Sequence, residues 1–202
     1  VCFCIDYRLT QEDCDPGVTP TMSADEPMNK DRVNIVRGML GLPPATDDEL
    51  RRGIEAATDD MVAAINFVRS RSRFYNVDIS RIAVGGFSAG AMISLSAAFA
   101  ERAPVRAVVS LSGRTTDRTR ETCITGAADE AAILMFVGDR DLPVIADAAP
   151  AMEAHFARVG ARHRIVRLSN ATHFYPKTTK TPDGSDVETT IAHFLRDALR
   201  LG

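Results

Sequence analysis

The chain has 202 residues, of which 45% are hydrophobic and 25% are charged, as in a globular domain large enough to bury a core. Its 24 basic and 27 acidic side chains give a net charge of −3, so we expect neither nucleic acid nor an anionic membrane as a partner. No apolar run approaches the roughly 20 residues that a membrane-spanning helix needs, and we predict no membrane span.

The first residues of the sequence already belong to an apolar run, and no Met precedes them. We therefore expect a fragment or a processed chain. No secretory signal is visible, and the compartment, cytoplasmic or secreted, stays open. Residues 1–7 alternate in the manner of a strand, which we predict to be buried.

The four cysteines give two predictions. Cys2 and Cys4 would share one face of the first strand as buried, reduced thiols. Cys14 and Cys123 lie in polar segments and could form a disulfide, although spacing alone does not establish the pair. Neither Cys-x-x-Cys nor a His/Cys spacing typical of zinc occurs, so we predict no metal and no cofactor.

A long segment without clear periodicity follows the first strand. Residues 8–48 contain five prolines, and only Val33, Val36 and Leu40 suggest an amphipathic turn or two. Loops of this length in compact domains are usually functional. Residues 10–48 are therefore predicted to form either a lid or pocket wall, or a plain surface excursion.

Strands and helices alternate from Asp47 onwards. A helix is indicated by one apolar face with helical spacing, made by Ile54, Ala57, Met61, Ile65 and Val68. The later predicted elements are a strand at 82–84, a helix at 89–100, a strand at 105–111, a polar loop at 114–130, a strand at 132–137, a helix at 147–159, a strand at 164–168 and a final helix from Ser185. We predict that Ser185 and Glu188 form a capping box at the start of the final helix. The five strands and intervening helices predict one α/β domain over residues 1–202, with a mostly parallel sheet and helices on both faces.

The segment Gly-Phe-Ser-Ala-Gly at residues 86–90 is the strongest chemical signal. It directly follows a predicted strand and precedes an apolar helix, the setting of a nucleophile elbow. Gly86 and Gly90 would remove side chains where the strand and helix backbones approach each other. Ser88 would be the nucleophile and the N–H of Ala89 an oxyanion donor. The alternative is a glycine-rich turn in which Ser88 only caps the helix.

A serine nucleophile needs a general base, and the chain has four histidines. His155 and His193 lie in predicted helices, and His163 lies at the start of a strand. Only His173 follows a strand, at the sheet edge where reactive groups gather in open α/β folds. We therefore predict His173 as the base.

The base in turn needs a carboxylate partner. The strand at 132–137 is followed by Asp139 and Asp141; we choose Asp141 and keep Asp139 as the alternative. The order Ser88, Asp141, His173 along the chain is the one expected for α/β-hydrolases.

Several segments resemble the α/β-hydrolase superfamily, and within it the carboxylesterase/lipase-like branch. They are Asp6-Tyr7-Arg8-Leu9, Asp60-x-x-Ala63-Ala64, the stretch from Asp78 to Gly90, Gly138-x-x-Asp141 and Thr172-His173. The resemblance covers essentially the whole chain. It implies the α/β-hydrolase fold, a Ser88–His173–Asp141 triad and a small-molecule ester as substrate.

One departure from that family is clear. Its members carry a His-Gly-Gly-Gly type loop before the strand that ends in Asp-Tyr-Arg-Leu, and no His-Gly pair occurs here. We expect this loop and the early strands to lie outside the given sequence. Without the loop, Ala89 would lack its companion oxyanion donors, a loss worth roughly 10² to 10³ in rate. The shortened sheet would also expose an edge that a homo-oligomer or partner chain could complete.

The predicted function is that of a serine esterase working through an acyl-enzyme. Two alternatives stay open: an acyltransferase or peptidase on the same triad, and a non-catalytic binding module with the hydrolase fold. A dienelactone-hydrolase-like enzyme is disfavoured, because its nucleophile is Cys and the residue here is Ser88.

Overall fold

The computed structural model of the protein describes residues 1–9, 19–26, 28 and 30–201. Its central feature is a four-stranded sheet in which the strands follow chain order. The strands are β1 (Ala83–Phe87), β2 (Ala107–Leu111), β3 (Ala132–Arg140) and β4 (His163–Thr172). All three pairings are parallel, so the predicted parallel α/β architecture is confirmed.

Helices pack on both faces of this sheet. In the described ranges they are α1 (Asp31–Met39), α2 (Asp47–Ser70), α3 (Ser72–Tyr75), α4 (Ala89–Phe99), α5 (Pro143–Ala146), α6 (Ala148–Val159) and α7 (Val187–Leu199), with a π-helical turn at Thr119–Cys123. None of them is both long enough and apolar enough to cross a membrane.

Strand β3 separates the two halves of the core. Its side chains at Ile133 and Met135 join a cluster with residues of α2, α4 and α6. Those at Leu134 and Phe136 join a second cluster that includes Val187 at the start of α7. Because both faces of β3 are covered, its sequence is a continuous apolar run without polar alternation.

The prediction of a buried first strand is wrong. Residues 1–9 form no strand, and Cys2 and Cys4 are exposed rather than buried. A groove of about 650 Å³ lies between this segment and the outer edge of β1. An apolar run becomes a strand only where a backbone partner is within hydrogen-bonding reach, and here the groove occupies that place.

Arg8 anchors the same segment to α2 instead of to the sheet. Its backbone N–H donates to Asp60 Oδ2 at 2.8 Å, and its guanidinium lies 2.9 Å from Asp60 Oδ1. Burial acts to raise the pKa of Asp60, but the hydrogen bonds and charge of Arg8 outweigh it and hold that pKa below its usual value. The four strands of the described sheet therefore replace the five that we predicted.

Two details of the predicted helices also change. The capping box at Ser185 and Glu188 is wrong: Asp186 is the N-cap of α7, and its carboxylate accepts from the N–H of Thr189 at 2.8 Å. Ser185 N–H instead donates to Asp183, and Glu188 pairs with Lys177. The predicted polar loop at 114–130 contains the π-helical turn.

Part of the predicted lid or pocket wall lies outside the described residues. Residues 10–18 are outside the described ranges. The predicted disulfide between Cys14 and Cys123 is therefore outside them too. Cys123 is half-buried. The described remainder contains α1, a longer helix than the turn or two that the sequence suggests.

The turn between β1 and α4 brings two backbones together at Gly86. A Cβ atom there would lie 2.5 Å from the carbonyl carbon of Gly90 and 2.9 Å from the N of Ala91. A Cβ at Gly90 would meet nothing within 4 Å. The two glycines of the motif therefore have different roles: Gly86 must lack a side chain, and Gly90 contributes the backbone that approaches it.

Gly86→Ala is expected to destabilise the protein by about 1 to 3 kcal/mol, because strand and helix must separate to admit the methyl group. Gly90→Ala is the matched control, and it should be neutral or stabilising by up to about 1 kcal/mol, since Ala favours the helix. Urea unfolding of both variants measures the difference. Equal destabilisation by the two substitutions would contradict the assignment.

Candidate active site

Ser88 occupies the turn between β1 and α4 in a backbone conformation that non-glycine residues rarely adopt. Its φ is 55° and its ψ is −114°. Its N–H donates to the carbonyl of Leu111 on β2 at 2.8 Å, which holds the turn against the sheet. Its hydroxyl makes no capping bond to α4, so the alternative in which Ser88 only caps the helix is wrong.

The structure brings the three residues predicted as the triad together. Ser88 Oγ lies 3.0 Å from His173 Nε2. His173 Nδ1 lies 2.7 Å from Asp141 Oδ1. A carboxylate oxygen can only accept, so Nδ1 is the donor in this contact, and Nε2 is then placed to accept from the Ser88 hydroxyl.

The other histidines have different surroundings. His155 Nε2 lies 3.0 Å from the carbonyl of Ile124, and His163 Nδ1 lies 2.8 Å from the carbonyl of Ala161. His193 is exposed on α7. None of these three rings contacts Ser88 through a hydrogen bond.

Asp141 is buried and has several donors besides His173. The N–H of Leu142 donates to Oδ1 at 2.7 Å, and the N–H of Gly138 reaches Oδ2 at 3.4 Å. Asp139, the alternative acid, points elsewhere and accepts from the N–H of Asn170 at 2.8 Å. Asp139 therefore links the ends of β3 and β4, and only Asp141 faces the imidazole.

Ser112 belongs to this site, although the sequence patterns above do not single it out. Ser112 comes directly after the last residue of β2. It is fully buried, and its φ is 48°. Its hydroxyl lies 2.6 Å from Asp141 Oδ2 and 3.1 Å from the carbonyl oxygen of His173. A usable signal existed, because Ser112 follows a parallel strand at the edge where Ser88, Asp141 and His173 gather.

Tyr175 interacts with Ser112 and with the charge of Asp141. Burial raises the pKa of Tyr175 to about 12, with a smaller contribution from the charge of Asp141, while hydrogen bonds with Ser112 act in the opposite direction. Its hydroxyl lies 3.5 Å from the carbonyl of Phe136. The side chain is therefore a neutral phenol around neutral pH.

Two aromatic rings flank His173 on the open side. The ring of Phe87 lies 4.8 Å from the imidazole, that of Phe174 lies 5.0 Å from it, and the two phenylalanine rings are 5.3 Å apart. Phe174 is 63% exposed. The guanidinium of Arg32, on α1, lies 5.2 Å from the Phe174 ring centre, which places α1 beside Phe174.

A buried ion pair attaches the segment before α1 to the loop after β2. Arg114 donates to Glu26 Oε1 at 3.0 Å, and the N–H of Asp117 donates to the same oxygen at 3.1 Å. The Glu26 side chain is completely buried. This contact holds residues 19–26 near the carboxyl end of β2.

Within the described ranges no group of three His, Cys, Asp or Glu side chains could hold a metal ion.

The parallel sheet and its flanking helices have the arrangement of the α/β-hydrolase fold. The sequence matches the profile of the dienelactone hydrolase family over residues 45–196, and the chain belongs to that family. We disfavoured this branch above because residue 88 is Ser rather than Cys. That inference is wrong as a statement about family, since one atom at the nucleophile does not decide the fold or the surrounding sequence.

Solved structures show the same fold. A truncated carbohydrate esterase from gut microbiota is 17% identical with a TM-score of 0.59, covering 72% of this chain and 69% of its own. Esterase PE8 is 22% identical with a TM-score of 0.53, and the match covers 72% of this chain and 62% of PE8. MGS-M1, an alpha/beta hydrolase enzyme from a Medee basin deep-sea metagenome library, is 15% identical with a TM-score of 0.58. The match covers 72% of this chain and 66% of MGS-M1.

The chain thus spans 62% to 69% of the lengths of these three proteins. A comparison with curated protein sequences finds no match.

Removing the Ser112 hydroxyl is expected to lower catalytic efficiency, because Asp141 loses the donor that lies 2.6 Å from its Oδ2. Ser112→Ala and Ser112→Gly should each reduce kcat/KM about tenfold or more, since a hydrogen bond to a charged group contributes roughly 1.5 to 3 kcal/mol. Glycine suits the positive φ, so loss in both variants would exclude backbone strain as the cause. Ser96→Ala is the matched control, because Ser96 is equally buried and its hydroxyl has no partner.

Tyr175 should make the protein sensitive to alkali. Its folded pKa of about 12 lies above the usual value of 10, so the unfolded chain releases this proton at lower pH than the folded one. The contribution of Tyr175 to stability is complete below pH 10 and is lost as the pH rises towards 12. Urea unfolding at pH 9 and pH 11 should show a smaller decline for Tyr175→Phe than for the parent protein. Identical declines would show that the phenol is not held in its neutral form by the fold.

Proposed function

We propose that the protein is a serine hydrolase that cleaves carboxylic esters through an acyl-enzyme, with Ser88, His173 and Asp141 as its catalytic triad. The observation that carries this proposal is the continuous chain of short contacts from Ser88 Oγ to His173 and on to Asp141. Membership of a hydrolase family supports the reaction type. The names of two structural neighbours describe esterases, which is consistent with an ester as the substrate.

The first half-reaction transfers the acyl group to the protein. Ser88 Oγ attacks the ester carbonyl carbon while His173 Nε2 takes the hydroxyl proton. The negative charge moves to the carbonyl oxygen, where the N–H of Ala89 can donate to it, because the first N–H groups of a helix have no acceptor within the helix. The intermediate collapses as His173 returns its proton to the departing alcohol oxygen, and an acyl-Ser88 ester remains.

The second half-reaction repeats these steps with water. His173 Nε2 takes a proton from water, whose oxygen attacks the acyl carbon, and the same proton then goes to Ser88 Oγ as the carboxylic acid leaves. Throughout, Asp141 holds Nδ1–H and stabilises the imidazolium. Its fixed orientation follows from its contacts with Leu142 and Ser112.

A fluorophosphonate probe is expected to label the protein at Ser88 and to leave Ser88→Ala unlabelled. Asp141→Asn should lower kcat by up to about 10⁴, because the amide favours the wrong imidazole tautomer. Asp139→Asn is the matched control two residues away, and its effect should be small since Asp139 only accepts from Asn170. Peptide mapping of the labelled site and turnover of ester, amide and thioester substrates provide the measurements. Absence of Ser88 labelling in folded protein would refute the proposal.

A further inference from the structure

Two phenylalanine rings form a flat apolar surface directly beside the imidazole of His173. The ring centres of Phe87 and Phe174 lie 4.8 Å and 5.0 Å from that imidazole and 5.3 Å from each other. Phe87 is nevertheless 38% exposed and Phe174 63%. We call these two side chains the aromatic pair. Since the two rings contact each other and still face solvent, they leave room for a further ring beside them.

The fold does not use the aromatic pair for its core. Phe136 and Phe156 are fully buried in the two core clusters, whereas the described members of those clusters include neither Phe87 nor Phe174. The exposed ring of Phe174 is also open to planar groups, because the guanidinium of Arg32 lies 5.2 Å from its centre. The aromatic pair is therefore placed for binding rather than for packing.

The proposed mechanism says which part of an ester would meet the aromatic pair. His173 Nε2 returns its proton to the departing alcohol oxygen, so that oxygen must come within hydrogen-bonding distance of Nε2. The carbon group attached to this oxygen then lies beside the imidazole, which the aromatic pair flanks. The acyl group is attached to the carbonyl carbon instead, and no step of the reaction holds it against Nε2.

We propose that Phe87 and Phe174 form the subsite for the alcohol portion of the ester, and that the protein prefers esters of arylmethyl alcohols, whose ring packs against this pair. This substrate class rests on the proposed function. Water and the ester give the carboxylic acid and the arylmethyl alcohol, so the reaction needs no further reactant. An aromatic ring should gain about threefold to tenfold over a saturated ring of the same size, because ring–ring contacts add to the effect of buried area.

The test compares benzyl acetate with cyclohexylmethyl acetate, which share the acyl group and differ in whether the ring of the alcohol is aromatic. We expect kcat/KM to be about threefold to tenfold higher for the benzyl ester. Methyl phenylacetate and methyl cyclohexylacetate carry the same two rings on the acyl side. The kcat/KM ratio of this second pair should be about one, since the acyl group does not meet the aromatic pair.

Variants of Phe174 connect the preference to the aromatic pair. Phe174→Leu keeps an apolar side chain but removes the ring, so the ratio for the two acetates should fall to about one, whereas Phe174→Tyr keeps the ring and should keep the ratio. Phe74→Leu is the matched control: Phe74 is 80% exposed on α3 and contacts the ring of Tyr75, and its ratio should equal that of the parent protein. Each ratio is measured on one preparation, so a change in the folded fraction cancels.

Three results would overturn the inference: equal kcat/KM for the two acetates in the parent protein, an unchanged ratio in Phe174→Leu, or an equal aromatic preference in the acyl-side pair. Turnover of neither acetate by protein whose Ser88 reacts with the fluorophosphonate probe would also overturn it, and would leave Ser88 standing as the nucleophile. Absence of Ser88 labelling would instead refute the proposed function, and this inference with it.

Discussion

The buried carboxylate of Asp141 is the group around which the candidate site is organised. A buried charge is tolerated only when donors surround it, and here the donors come from three strand ends. Ser112 follows β2, the N–H groups of Gly138 and Leu142 flank the end of β3, and His173 follows β4. Satisfying this one charge therefore fixes the relative positions of three loops, and the imidazole is aimed at Ser88 as a result.

The same sheet edge also concentrates backbone strain. Ser88, Ser112 and Asn170 all have φ between 48° and 58°, and they lie at the ends of β1, β2 and β4. Such conformations cost of order 1 to 3 kcal/mol each and persist only where surrounding structure imposes them. Hydrogen bonds from Ser88 to Leu111 and from Ser112 to Phe136 supply part of that support. The neighbouring strands thus hold the turns that expose the reactive side chains.

Two other parts of the structure, the outer edge of β1 and helix α1, have surfaces that the described residues leave uncovered. In the part of the chain that the structure describes, the outer edge of β1 faces a groove, and Ile35, Val36 and Met39 of α1 are exposed. The match to the dienelactone hydrolase family covers residues 45–196, which include all four strands of the sheet.

The sequence by itself determined the α/β class, and it indicated the Ser88 turn and which of the four histidines lies beside Ser88. These follow from local patterns, because parallel strands separated by helices must bring their carboxyl ends to one edge. Tertiary structure alone decided that Ser112 contacts Asp141, that Asp139 does not face the imidazole, and that residues 1–7 are no strand. It also decided the orientation of α1, which buries Arg37 and exposes Ile35, Val36 and Met39. Each of these depends on which atoms from distant parts of the chain lie within a few ångströms, and no local pattern of residue types encodes that distance.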